Sequence, residues 1–217
     1  MTTAIVFDMD GTLFQTNRIL EPALEVTFEQ LRQNGYWTGP TPLEKYQEIM
    51  GVPLTVVWQT LCPELPKEMH EACNKRFQLA LIELIQSGQG ALYDEVESTL
   101  EKLAENYPLF IASNGQTAYL QAIIETYHLH KWIKGTYSID RVTSGNKSEL
   151  VSIVLTENDV HQGFVVGDRL SDINAALDNK LTSIGVRFDF AQEDELAKAD
   201  YIVDRFTAIL DIVNNHN

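Results

Sequence analysis

The sequence predicts an α/β fold in which a parallel sheet is covered by helices on both faces. Three observations predict it. The runs Ile5-Val6-Phe7, Leu109-Phe110-Ile111-Ala112 and Phe164-Val165-Val166 are unbroken and apolar, as are strands buried on both faces. Each run then ends in polar chemistry: Asp8-Met9-Asp10-Gly11-Thr12, Ser113-Asn114-Gly115 and Gly167-Asp168-Arg169-Leu170-Ser171-Asp172. From Tyr93 onward, helical and strand patterns alternate, the mark of βαβ units. The sheet expected is therefore Rossmann-like, with its ligand crevice at the carboxyl ends of the strands.

The elements follow in order. Ile5-Val6-Phe7 is the first strand. Residues 17–87 contain no strand pattern and read as four helices. The first covers 21–33, with Leu24, Phe28 and Leu31 on one face and a stop at Asn34-Gly35. Thr41-Pro42-Leu43-Glu44 is a capping box that opens a second helix to about residue 50. Pro53 starts a third, through Val57 to Leu61. Pro66 starts a fourth, through Phe77 and Ile82 to Ser87-Gly88. Periodicity leaves open whether this block packs on the sheet or stands apart as a lid. Beyond it, helices are expected at 95–106, 119–127, 147–156, 173–178 and 205–213. Strands are expected at 109–112, 135–139, 164–166, 182–186 and 201–203.

Composition narrows the partners. The 217 residues suit one sizeable core with a small appendage, and 44% hydrophobic with 22% charged residues is ordinary for a globular protein. The formal charge of −15 argues against nucleic acid, whose phosphates need Lys and Arg, and against an anionic membrane surface. A small phosphate ligand remains compatible, because the local field decides there. No apolar run approaches the ~20 residues of a membrane span, and no signal peptide is visible. Cys62 and Cys73 suggest neither a disulfide framework nor a metal site. They read as reduced thiols in a cytoplasmic protein. Monomer and homodimer both remain open.

Asp8 and Asp10 carry the first chemical signal. Alternate strand residues face one side, so this spacing brings both acids toward one pocket. Carboxylates that close repel unless a cation separates them, and magnesium, a hard ion with oxygen ligands, resolves the conflict. One of the two acids can also be a nucleophile. An ordinary Asp-Gly turn is the competing reading. A calcium loop fails, because Thr12 and Arg18 stand where further acids are required. Ser113, Asn114 and Gly115 sit between a strand and a helix, where free N–H groups meet an anion or where Ser113 merely caps. Lys147 opens a helix, beside a possible Asn146–Glu149 capping pair, a poor place for a cation. Lys131 and Lys134 lie at the other end of the sheet.

Four motifs in this order, Asp8-Met9-Asp10-Gly11-Thr12, Ser113-Asn114-Gly115, Lys147 and Gly167-Asp168-x-x-x-Asp172, resemble those of the haloacid dehalogenase superfamily, in its phosphoglycolate phosphatase-like branch. The resemblance runs from Ala4 to about Val213. It implies a helical cap domain at 17–87 inserted into a catalytic core of 1–16 and 88–217. It also implies a magnesium-dependent phosphatase acting on a small phosphorylated metabolite. Asp8 would be the nucleophile, forming an aspartyl-phosphate, and Asp10 the general acid and base. Ser113, Asn114 and Lys147 would hold the phosphoryl group. Asp8, the Asp10 backbone carbonyl and Asp168 would bind Mg2+, with Asp172 in support or, equally, serving as a helix N-terminal charge.

Two other functions compete. Phosphomutases of the β-phosphoglucomutase type share the catalytic acids but carry a basic cap residue after a Gly-Val-Ser element; here Gly51-Val52-Pro53 is followed by Leu54-Thr55-Val56. A non-catalytic binding protein would not need all four motifs. Dehalogenases of the superfamily lack the second acid, so Asp10 argues against that chemistry. Phosphatase relatives often show Gly-Val-x-Trp-Gly where this chain has Gly185-Val186-Arg187-Phe188-Asp189. Arg18, Lys45, Tyr46 and Met50 are candidate residues for the substrate pocket.

Overall fold

The computed structural model describes residues 2–50, 52 and 54–215. Six strands form one sheet: β1 (Thr2–Phe7), β2 (Leu109–Ser113), β3 (Ile133–Ser138), β4 (Val160–Gly167), β5 (Thr182–Val186) and β6 (Tyr201–Val203). Their order is β3-β2-β1-β4-β5-β6, and every pairing is parallel. The α/β expectation holds. β1 lies inside the sheet, where an unbroken apolar run belongs. Phe7 stands level with Ile111 of β2 and Val166 of β4. The three polar strand ends therefore emerge side by side.

Alternate residues of β1 feed two cores. Ile5 and Phe7 join one, together with apolar residues of α5 (Val96–Ala104), α6 (Thr117–Thr126) and α10 (Ala208–Asn215). Ala4 and Val6 join the other, with Leu150, Val151 and Val154 of α7 (Lys147–Glu157) and Ala175 and Ala176 of α8 (Leu170–Asp178). The sequence pattern missed α9 (Glu193–Leu196). Its four residues bury only Leu196, too little to show a period.

Between β1 and β2 lie α1 (Asn17–Gln33), α2 (Leu43–Glu48), α3 (Leu54–Leu61) and α4 (Lys67–Gln86). α1 begins four residues earlier than expected. Buried Ile19 and Leu20 extend its apolar face, and Pro22 is accommodated inside it. The expected capping box at Thr41 does not form. The Thr41 hydroxyl instead donates to Glu25 Oε2 at 2.5 Å, and Pro42 occupies the cap position with no side-chain bond. Gly51 and Pro53, on which the expected start of α3 and the comparison with phosphomutases partly rest, lie outside the described residues.

An aromatic cluster holds these helices together. Trp58 of α3 packs its ring 6.1 Å from Phe28 of α1 and 5.7 Å from Phe77 of α4. Tyr46 of α2 meets Phe77 at 5.4 Å. The cluster is continuous with the sheet's first core through residues such as Leu13, Phe14 and Ile19. Among the described residues, no helix is long and apolar enough to cross a membrane. Cys62 and Cys73 are free and buried.

Phe77→Ala should destabilise the protein by about 3–5 kcal/mol, because a fully buried ring leaves a cavity where three helices meet. Urea unfolding measures this. A loss below ~1 kcal/mol would contradict the packing described.

Candidate active site

Lys147 is the first residue of α7, yet its side chain is only 4% exposed. Its ammonium forms an ion pair with Asp8 Oδ1 and lies 2.5 Å from Asp172 Oδ1. Two carboxylates offset the unfavourable position of a cation at a helix N-terminus. Asn146 supplies the cap, its Oδ1 accepting from the Ser148 amide at 2.8 Å. Glu149, the other half of the supposed capping pair, instead accepts from the Ser144 hydroxyl at 2.5 Å.

Asp8 directly follows β1, and its amide donates to the Val166 carbonyl at 2.9 Å. Asp172 accepts from the Arg169 amide at 3.1 Å through Oδ2, so it serves both the helix start and Lys147. Thr12 Oγ1 donates to Asp168 Oδ1 at 3.3 Å, whereas buried Asp168 Oδ2 has no hydrogen-bond partner. Two glycines make these approaches possible. A Cβ on Gly11, whose φ is +77°, would meet Asp168 Oδ2 at 2.4 Å. One on Gly167 would meet the Asp172 carboxyl carbon at 2.1 Å.

Ligand oxygens of Asp8, Asp168 and Asp172 all lie within 4.8 Å of one another. Three buried carboxylates face one ammonium. Burial pushes the Asp8 carboxyl up to about 7 despite the opposing pull of Lys147. Burial also holds Asp168 well above the usual carboxylate range, and the neighbouring charges of Asp8 and Asp172 push it the same way. Burial would lower Lys147, but the carboxylates of Asp172 and Asp8 prevail and hold it above its ordinary value. The cluster's uncompensated negative charge, its oxygen-only donors and the orphaned Asp168 oxygen fit a hard divalent cation.

Asp10 lies outside this group of three carboxylates, though its charge acts on Asp8. Its Oδ1 accepts from the hydroxyls of Thr16 and Tyr119, each at 2.5 Å. Burial raises its pKa, and these two bonds oppose the rise. Asp10 also lines a cavity of about 50 Å³ with Tyr46, Met50, Asn114 and Gly115. Ser113 ends β2, buried, and its Oγ accepts from the Gly115 amide at 3.0 Å. Of the four candidate pocket residues, Tyr46 and Met50 reach this cavity. Arg18 donates to Gln15 Oε1 at 2.9 Å, and exposed Lys45 donates to the Thr60 carbonyl at 2.8 Å, so neither lines it.

Sequence reasoning missed Thr16, Tyr119, Gln78 and Arg169. Tyr119 lies 109 residues from Asp10, a separation that leaves no local signal. Arg169 sits within the Gly-Asp-x-x-x-Asp motif, pairs with Glu195 at 2.9 Å and donates to the Met50 carbonyl. It thereby ties the acidic strand end to the helical block. The departure at 187–189 is structural: Arg187 pairs with Glu193, Phe188 stacks on Tyr93 at 4.5 Å, and Asp189 accepts from the Tyr93 hydroxyl at 2.8 Å.

A carboxyl raised on folding costs nothing below its unfolded value, and the cost grows as rising pH forces ionisation. For Asp8 that window runs from 3.8 to about 7. A bound cation replaces the proton. Added magnesium should therefore raise Tm more at about pH 8 than at about pH 5. A larger effect on the acid side would contradict cation binding by these carboxylates.

A family model described as haloacid dehalogenase-like hydrolase matches residues 5–186. The pyrophosphatase PpaX of Listeria monocytogenes is 21% identical over 218 residues, spanning 98% of this chain and 97% of its own. A 5'-nucleotidase of Pseudomonas aeruginosa is 21% identical over 203 residues, spanning 88% and 86%. Among solved structures, a predicted phosphoglycolate phosphatase from Haemophilus somnus superposes with a TM-score of 0.83 at 21% identity, covering 97% of both chains. That likeness is one of fold. The family model takes in all three polar strand ends and Lys147, and the chain belongs to the haloacid dehalogenase-like hydrolase family.

Proposed function

We propose that the protein is a magnesium-dependent phosphatase that hydrolyses a small phosphorylated metabolite through an aspartyl-phosphate on Asp8. The observation that carries this reading is the convergence on Asp8 of a buried ammonium and two further buried carboxylates, each from a different strand end or helix start. Two relatives support it by their names, a pyrophosphatase and a 5'-nucleotidase.

An Asp8 carboxylate oxygen attacks phosphorus, and the bond to the leaving oxygen breaks. Asp10, whose pKa burial raises, gives its proton to that oxygen. Thr16 and Tyr119 fix the carboxyl through Oδ1. Asp10 then takes a proton from the water that cleaves the acyl phosphate, which restores Asp8. Lys147 neutralises phosphoryl charge and restrains Asp8, and Asp172 orients Lys147. The Ser113 hydroxyl and the Asn114 amide bind phosphoryl oxygens ahead of α6. Mg2+, held by Asp8, the Asp10 carbonyl and Asp168 with Asp172 in support, would draw further charge from those oxygens. Residues 17–87 act as a cap that closes the site from water, on a core of 1–16 and 88–217. The reduced state of both cysteines accords with a cytoplasmic setting.

Asp8→Asn should abolish turnover while leaving the circular dichroism spectrum unchanged, because a neutral amide of the same shape cannot attack. Near-full activity would remove Asp8 from the nucleophile's role. Lys147→Ala should lower kcat about a hundredfold on every ester tested, the effect of losing one electrostatic donor worth roughly 3 kcal/mol. A loss confined to one ester would make Lys147 a recognition residue instead.

A further inference from the structure

The cavity beside Asp10 also bears on the substrate. Given the phosphatase reading above, the phosphoryl group lies among Asp8, Lys147 and Ser113. The leaving oxygen faces Asp10, and whatever it carries enters this cavity. Tyr46, Met50, Gln78, Leu81, Gln116 and Tyr119 surround that space. Among the described residues, no Lys, Arg or His lines it. Lys147, whose charge reaches Asp10, is paired with Asp8 and Asp172, and other candidate cations are engaged elsewhere. Arg169 is held by Glu195 and the Met50 carbonyl, Lys45 by the Thr60 carbonyl, and Arg18 by Gln15. Lys75 and Arg76 line a separate groove formed by α1 and α4.

We propose that this protein hydrolyses phosphomonoesters whose leaving group is small, uncharged and hydroxyl-bearing, and that it selects against esters carrying a second anionic group. A carboxylate or second phosphate in the cavity would lie beside Asp10 with no cation among the described lining residues to pair with it, and partial burial of an unpaired charge is costly. The polar groups present suit hydroxyls instead. Gln78 and Gln116 carry amides that both donate and accept, and the buried Tyr46 hydroxyl does the same. Gln116 is steadied through its Oε1 by Asn74 Nδ2 at 3.4 Å. Met50 and Leu81 give the space an apolar wall. Its volume of about 50 Å³ suits a short leaving group. A short polyol phosphate meets all of these conditions. Phosphoglycolate and pyrophosphate do not, although a predicted phosphoglycolate phosphatase shares the fold and a pyrophosphatase is similar in sequence.

The test compares two matched pairs of esters with magnesium present: glycerol 3-phosphate against 3-phosphoglycerate, and 2-hydroxyethyl phosphate against phosphoglycolate. Each pair differs only by a hydroxymethyl group replaced by a carboxylate. The neutral member should have a kcat/KM at least about tenfold higher in both pairs. Gln78→Lys, checked for an unchanged circular dichroism spectrum, should narrow or reverse that ratio by supplying the missing countercharge. Equal or better turnover of the carboxylate members by the unaltered protein would overturn this inference and leave the phosphatase reading standing. Turnover of none of the four esters would overturn both.

Discussion

The site depends on one contact: a buried ammonium, Lys147, held between Asp8 and Asp172. Removing three carboxylates from water is costly, and their mutual repulsion adds to that cost. One ammonium balances only part of this charge. Burial first, and this residual repulsion with it, holds Asp8 and Asp168 above their ordinary values. A site left with excess negative charge is prepared for cations and for groups that arrive with them. The same imbalance gives Lys147 a reason to be buried at a helix start, where no structural argument would place it.

The scaffold makes that contact possible through register. Because β1, β2 and β4 run level, residues 8, 113 and 168 emerge at the same edge of the sheet without any long loop. Gly11 and Gly167 then let backbone and carboxylate approach to distances that any Cβ would forbid. Beyond the sheet, the helical block contributes a different kind of surface. Its aromatic cluster packs the helices together, and Tyr46, Met50 and Gln78 line the cavity with Asp10. Charge is thus concentrated at the strand ends, and the helices add uncharged side chains to the cavity wall. Arg169 joins the two halves, standing between two acids of the cluster while bonding the Met50 carbonyl.

What was legible in the sequence was local. Unbroken apolar runs gave the strands of the parallel sheet, and short spacings such as Asp8 to Asp10 and Asp168 to Asp172 announced the polar strand ends. What was not legible depended on distance or competition. Tyr119 and Thr16 fix Asp10 from positions whose own neighbourhoods look ordinary. The capping box at Thr41 was a correct local pattern that lost to a stronger partner, the Glu25 carboxylate. Lys45 looked like a pocket residue by type, but its ammonium is held by the Thr60 carbonyl. α9 was invisible because one buried leucine has no period.

The central claim is that Asp8 itself carries the phosphoryl group during turnover. Acid-quenching the enzyme during turnover of a good ester, followed by peptide mapping by mass spectrometry, tests it directly. An acid-stable, base-labile phosphoryl group is expected on the peptide containing Asp8, lost when substrate is exhausted before the quench. A phosphoryl group found on a different carboxylate or on Ser113 would contradict it.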